Sequence, residues 1–224
     1  LYTASGNFIS SNVFNSQTDI YQSNLSLTAG TYQLIVDGSS DLTGDYKFRL
    51  LDMSQAKVIT AGVSEIGQLN PKNATNLYQF NAVAGERYYF DRMDQSGGDA
   101  LWRLLGPNGQ PVEGFNIAYF SDVDVLTLKD TGTYTLLIEG YVYLPDPINY
   151  EFAIRHVYDK ELTLNLGEIT AGTIASSGQR AIYTLTLSEA KQVYFDTLLS
   201  SGLTWTLYTA SGNFISSNVF NSQT

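Results

Sequence analysis

The sequence predicts an all-β fold made of antiparallel β-sandwich domains, and three observations carry that prediction. Apolar and polar residues alternate with a period of two in short runs rich in β-branched and aromatic residues. No stretch holds a 3.6-residue apolar stripe over three turns. The strand-like runs recur along the chain, together with the turns that separate them.

The runs are read in chain order. Tyr32, Leu34 and Val36 share one face of the first, and Tyr46, Phe48 and Leu50 share one face of the second. In 133–139, Tyr134, Leu136 and Ile138 lie together, with Thr and Glu among the residues opposite. Asp37-Gly38, Ala84-Gly85 and Pro107-Asn108-Gly109 are turn signals between runs. Trp102 and Trp205 each sit in the middle of a run. With Tyr32, Tyr134, Phe90 and Phe195 they are the expected core anchors.

Residues 1–18 and 207–224 are the same eighteen letters, LYTASGNFISSNVFNSQT, so the sequence repeats with a period of 206 residues. A weaker repeat of about half that length lies inside. It matches Tyr78 with Tyr183, Phe90 with Phe195, Asp91 with Asp196 and Trp102 with Trp205. It also matches Gly132-Thr133-Tyr134 with Gly30-Thr31-Tyr32, Gly140 with Gly38, Tyr150 with Tyr46 and Phe152 with Phe48. Two related domains therefore alternate. Residues 61–160 form a complete sandwich, 1–60 the second half of a split one, and 161–224 the first half of the next. Bare half-sandwiches expose strand edges and apolar faces, an aggregation hazard. Three arrangements remove it: neighbours in a longer array complete each half, the two ends of one chain close on each other, or the tail of one chain completes the head of another. The first is the favoured expectation. The segments 52–65 and 157–170 read as short, stiff junctions, because they lack Gly/Ser slack.

At these residues the chain resembles the bacterial pre-peptidase C-terminal domain. Tyr78, Phe80, Tyr89, Phe90 and Asp91 carry the likeness in the first half of the complete unit. Leu-Thr-Leu at 126–128, Gly-Thr-Tyr-Thr-Leu-Leu-Ile-Glu-Gly at 132–140 and Tyr-x-Phe at 150–152 carry it in the second. The resemblance covers both copies. It implies a jelly-roll-like sandwich, an accessory or structural role outside the cell, occurrence in tandem arrays, and in some relatives binding of calcium or matrix polymers.

Composition narrows the function. The chain has 224 residues, 43 % of them hydrophobic, which supports a packed core and excludes global disorder. Twelve Lys and Arg against 22 Asp and Glu give a formal charge of −10. Nucleic acid and anionic membrane surfaces are poor partners for such a chain. No apolar run reaches the length of a membrane span. There is no Cys, hence no disulfide framework and no thiol chemistry. The start at Leu1, with neither Met nor a signal-like segment, reads as a mature or excised piece. Few charged residues with many Tyr and Gly suit an extracellular or cell-surface protein.

No catalytic constellation assembles, and an enzyme is not expected. His156 stands alone in the sequence, without a nucleophile or an orienting acid suggested by spacing. No cofactor is required. Calcium is the one left open, with Asp122 and Asp124, Asp94 with Asp99, and Asp37, Asp41 and Asp45 as oxygen-donor candidates. Plain turns explain the same clusters. Asp91 and Asp196 are expected to accept a hydrogen bond from a neighbouring turn. Asn24 and Asn73 sit in glycosylation triplets, idle in a bacterial setting. Tyr141, Tyr143 and Leu144, on a Pro-stiffened loop, are the candidate ligand-binding residues, and their alternative role is packing on a neighbouring domain. The leading expectation is a structural repeat unit of a long extracellular fibre, stalk or surface layer. Its partners are neighbouring copies, in cis or head to tail in trans. The alternative is an adhesin or accessory module that binds surface polysaccharide or matrix.

Overall fold

The computed structural model describes residues 1–11, 24–115, 118–141 and 147–220. Two compact units are present: Leu1–Leu162 with Glu168–Tyr183, and Thr163–Gly167 with Thr184–Thr224.

The first unit opens with two short strands, β1 (Tyr2–Thr3) and β2 (Tyr32–Gln33), paired antiparallel. A 3₁₀ turn at Met53–Gln55 is capped by the Asp52 carboxylate, which accepts from Ser54 N at 2.9 Å. The strands that follow are β3 (Lys57–Val58), β4 (Ser64–Leu69), β5 (Thr75–Ala82), β6 (Arg87–Ser96) and β7 (Ala100–Leu105). Then come β8 (Ala118–Tyr119), β9 (Val123–Thr127), β10 (Gly132–Gly140) and β11 (Ile148–His156). They form a β-sandwich of a five-stranded sheet, β3-β5-β10-β7-β8, over a four-stranded sheet, β4-β11-β6-β9. From β4 to β7, and again from β9 to β11, consecutive strands alternate between the sheets, as in a jelly-roll-like sandwich. One pair departs from the antiparallel expectation. The edge strand β3 runs parallel to β5, with Lys57 opposite Tyr78. β4, which lies between them in sequence, belongs to the other sheet, so β3 and β5 are not a hairpin and a hairpin-based reading does not foresee the direction.

Period-two alternation builds the core. Tyr78 and Phe80, Tyr88 and Phe90, Trp102 and Leu104, Tyr134, Leu136 and Ile138, and Tyr150, Phe152 and Ile154 point between the sheets and are buried. The rings meet edge to face: Trp102 lies 4.6 Å from Phe120, Phe90 4.8 Å from Phe115, and Tyr78 5.1 Å from Phe152. Two buried tyrosines satisfy each other's polar ends, whereas the Trp102 indole nitrogen is buried without a hydrogen-bond partner among the described residues. The hydroxyls of Tyr78 and Tyr150 are 2.6 Å apart, and Asn76 Nδ2 donates to Tyr150 Oη at 2.6 Å. Burial pushes both phenols above their usual range. The far face of β7 and β10 is buried as well. There Arg103 Nη2 donates to Glu139 Oε1 at 3.0 Å, and Nε lies 3.0 Å from Oε2. The sequence reading places Glu139 opposite Tyr134, Leu136 and Ile138 and does not foresee its burial. Leu101, Leu105 and Leu137 share its burial.

Beyond the sandwich, β12 (Lys160–Thr163) pairs with β13 (Ala181–Thr184). The second unit holds the antiparallel hairpin of β14 (Thr204–Tyr208) and β15 (Phe214–Val219). Two expectations fail in the flanking stretches. Residues 34–50, read as two strands, form none. Phe195 is exposed, and Tyr32 and Trp205 are half-buried, so these three do not anchor a core as Trp102, Phe90 and Tyr134 do. The physical reason is a missing opposite layer: a strand of alternating pattern has nothing to bury its apolar face against in these stretches.

Candidate functional site

Two of the acidic candidates are engaged by the fold. Asp122 accepts from Tyr89 Oη at 2.6 Å through one oxygen and from Arg92 N at 2.9 Å through the other. The Tyr89 phenol is pushed up to about 12, chiefly by that hydrogen bond. Asp124 Oδ1 accepts from Val125 N at 2.7 Å. Asp94 and Asp99 are exposed, as are Asp37, Asp41 and Asp45. Among the described residues, no three His, Cys, Asp or Glu side chains gather at one point. Asp91 bonds to Arg155 Nε at 2.7 Å across the β6–β11 pair, not to a turn. The expectation erred because cross-strand neighbours do not show in one-dimensional spacing. His156 packs against the rings of Tyr88 at 4.8 Å and Tyr158 at 4.0 Å, with Nε2 3.5 Å from Glu86 Oε1. Glu86 is itself engaged by Val83 N at 2.8 Å and Tyr88 Oη at 2.9 Å, and the first of these leads in holding its carboxyl below the usual range. An open depression of about 350 Å³ is lined by Glu86 together with Asn81, Val83, Tyr88 and Thr131. Tyr141 is half-buried, and Tyr143 and Leu144 lie outside the described residues.

What the structure does bring together is a recurring turn. In the complete sandwich, Gly106 N donates to Gln110 O at 2.8 Å, Gly109 N donates to Gly106 O at 2.8 Å, and Leu105 bridges to Pro111. The first eighteen letters make the same turn: Thr3 N to Asn7 O at 2.9 Å, Gly6 N to Thr3 O at 2.9 Å, and a bridge from Tyr2 to Phe8. Their second occurrence makes it again, with Thr209 N to Asn213 O at 2.8 Å and Gly212 N to Thr209 O at 2.9 Å. Gly109, Gly6 and Gly212 occupy the equivalent position with φ of 74°, 85° and 84°, the left-handed region that only Gly enters without strain. Tyr134 donates its hydroxyl to the carbonyl four residues back, Asp130 O, at 2.8 Å; Tyr32 does the same to Thr28 O at 2.7 Å.

Register recurs too. In the sandwich Leu105 pairs with Thr135, and in the N-terminal stretch Tyr2 pairs with Gln33, the residues matched to them by the internal repeat. Burial separates the copies. Leu136 and Ile154 are 0 % and 1 % exposed, while their counterparts Leu34 and Leu50 are 46 % and 76 % exposed. Phe90 is 0 % exposed and Phe195 48 %. Two stretches thus carry the sandwich's pattern and turns, with their apolar faces open to solvent. Sequence reasoning found these residues but assigned them to a core.

A second feature fixes the chain as it leaves the sandwich. Asp159 ion-pairs with Arg87 of β6 and with Arg180, whose Nε lies at 3.0 Å, and it also accepts from Arg180 N at 3.0 Å. Arg87 Nη2 reaches Gly178 O at 3.1 Å, and Gln179 Nε2 reaches Tyr158 O at 3.0 Å. The Arg180 hydrogen bond, first among several contacts, holds the Asp159 carboxyl below its usual 3.8. The sequence announced a short junction, but not this charge clamp.

No protein-family model and no curated protein matches the sequence. Solved structures similar in fold include PliG, a periplasmic inhibitor of g-type lysozyme, from Aeromonas hydrophila. It is 14 % identical, with 45 % of this chain and 95 % of that chain covered and a TM-score of 0.37. They include the pre-peptidase C-terminal domain of a collagenase from Bacillus anthracis, 17 % identical over 45 % and 95 % of the two chains, with a TM-score of 0.34. PliG from Salmonella Typhimurium is 16 % identical over 45 % and 98 %, with a TM-score of 0.33. Among the described residues no helix is long and apolar enough to cross a membrane.

Proposed function

We propose that this sequence is a structural repeat unit of a long extracellular or cell-surface assembly, a fibre, stalk or surface layer made of stacked β-sandwiches. One observation carries the reading: the eighteen letters of 1–18 recur at 207–224 and fold the same turn at both places. A period of 206 residues means that sandwich and junction return together, so length grows with copy number and each domain leans on its neighbours.

The proposed mechanism is geometric rather than catalytic and requires no cofactor. The Asp159 clamp supports it, because two guanidinium groups hold the chain where it leaves the sandwich, as a loose linker would not. The net charge of −10 keeps parallel assemblies apart at low salt. The test is electron microscopy of the producing cells with a label directed at the 61–160 sandwich. Labels at a constant spacing along filaments or a surface lattice support the reading; single, scattered labels overturn it.

A further inference from the structure

The open faces of the two flanking stretches match each other. We propose that residues 181–206 of one copy of this sequence pair with residues 30–51 of a second copy, completing a sandwich in the register of the 64–156 sandwich. The proposal rests on the repeat-unit reading above and adds to it the partner surface and the residue-by-residue register.

The register follows from the complete sandwich. There β10 pairs with β5 as Thr135 opposite Gln79 and Leu136 opposite Tyr78, and with β7 as Ile138 opposite Trp102. Through the matched residues, Gln33 comes opposite Thr184, Leu34 opposite Tyr183 and Val36 opposite Trp205. Part of this ladder exists already, since Tyr2 opposite Gln33 repeats Leu105 opposite Thr135. Leu207 and Tyr208 are the same letters as Leu1 and Tyr2, and β14 extends them back through Trp205. A docked β14 therefore takes over that ladder and lengthens it. The edges agree as well. β5 gives one edge to β3 and the other to β10, whereas among the described residues β13 has one edge on β12 and no strand on the other.

The second sheet supplies an independent check in charge. Ile154 pairs with Phe90 and Ala153 with Asp91. The counterparts place Leu50 opposite Phe195, both exposed in this chain, and Arg49 opposite Asp196. Opposite charges directly across a strand pair are favourable; Asp196 is one of the matched residues, but Arg49 is not, since the complete sandwich has Ala153 in its place. The occupant is a second copy because both faces belong to one sequence in one period, and the contact is head to tail.

The protein has no Cys, so two substitutions make a clean reporter. Full chains carrying Gln33→Cys and Thr184→Cys are mixed under mild oxidation, with Thr186→Cys as the register-shifted partner. The same substitutions are also placed in a two-period chain, residues 1–206 followed by 1–224. There Thr184→Cys or Thr186→Cys sits in the first period and Gln33→Cys in the second. Directly opposed residues lie within disulfide reach while the diagonal pair exceeds about 7 Å, so the matched pair should cross-link at least about tenfold more than the shifted one. Cross-linking at 184 over 186 in either format supports the proposal. Equal or absent cross-linking in both overturns it. Filaments on cells without this cross-link defeat the pairing alone, and the cross-link without filaments defeats the fibre reading alone.

Discussion

Phe90 and Phe195 are the same residue in two copies of one pattern, yet the structure places them in opposite environments. Phe90 is fully buried, 4.8 Å from Phe115 and 6.3 Å from Trp102. Phe195 is about half exposed and stacks on Trp205 at 4.2 Å. Replacing a buried Phe by Ala removes its transfer free energy and leaves a cavity, about 3–5 kcal/mol. The complete sandwich, with a stability of about 5–15 kcal/mol expected for such a domain, is left marginal by Phe90→Ala. With a urea slope of about 1–3 kcal/mol per molar, its midpoint falls by about 1–5 M. Phe195→Ala, which removes a ring already half in water, should move the same transition by less than about 0.5 kcal/mol. The assay is urea denaturation of the 224-residue chain in a Trp205→Phe background, where Trp102 is the sole indole and its emission reports the sandwich core. Equal losses from the two substitutions in the single chain refute the reasoning. They would mean that the 181–206 stretch already packs as tightly as the sandwich does.

Other residues give separate expectations. Asp159→Asn removes the shared partner of Arg87 and Arg180, and amide hydrogen exchange at 158–180 should speed up while the sandwich's own protection stays. Because the Asp159 carboxyl lies below its usual 3.8, its contribution is present above that value and disappears as pH falls through the lower, folded one; exchange at 158–180 measured from pH 5 to 2 reads this. Asp122→Asn removes the main cause of the raised Tyr89 phenol, so one tyrosine's ultraviolet titration should move from about 12 towards 10. In the parent protein the stability from that raised phenol is complete below 10 and declines as pH passes about 12. Gly67→Ala puts a Cβ 2.3 Å from the Tyr150 ring, which the Tyr78 and Asn76 hydrogen bonds hold in place, and thermal unfolding should show a loss of about 1–3 kcal/mol.

Much of the fold was legible because alternation and turn chemistry are local. Tyr134, Leu136 and Ile138 announce their shared face within one strand, and Pro107-Asn108-Gly109 announces its turn. What could not be read depends on neighbours distant in sequence. The burial of Glu139 with Arg103, the Arg155 partner of Asp91 and the parallel entry of β3 each need a second strand to be placed first. Trp205 shows the converse case. Its pattern is that of Trp102, but a pattern buries a side chain only when an opposing layer is there to receive it. Asp122 looked like a ligand because acidic residues cluster in 121–125, and only the fold shows both its oxygens taken by Tyr89 and Arg92.

The repeat-unit account is tested most directly by the mass of the native protein under fully denaturing conditions. The account predicts a band or ladder at many multiples of the 206-residue period. A single species near 24.7 kDa contradicts one covalent array and leaves strand addition between separate chains as the route to the assembly.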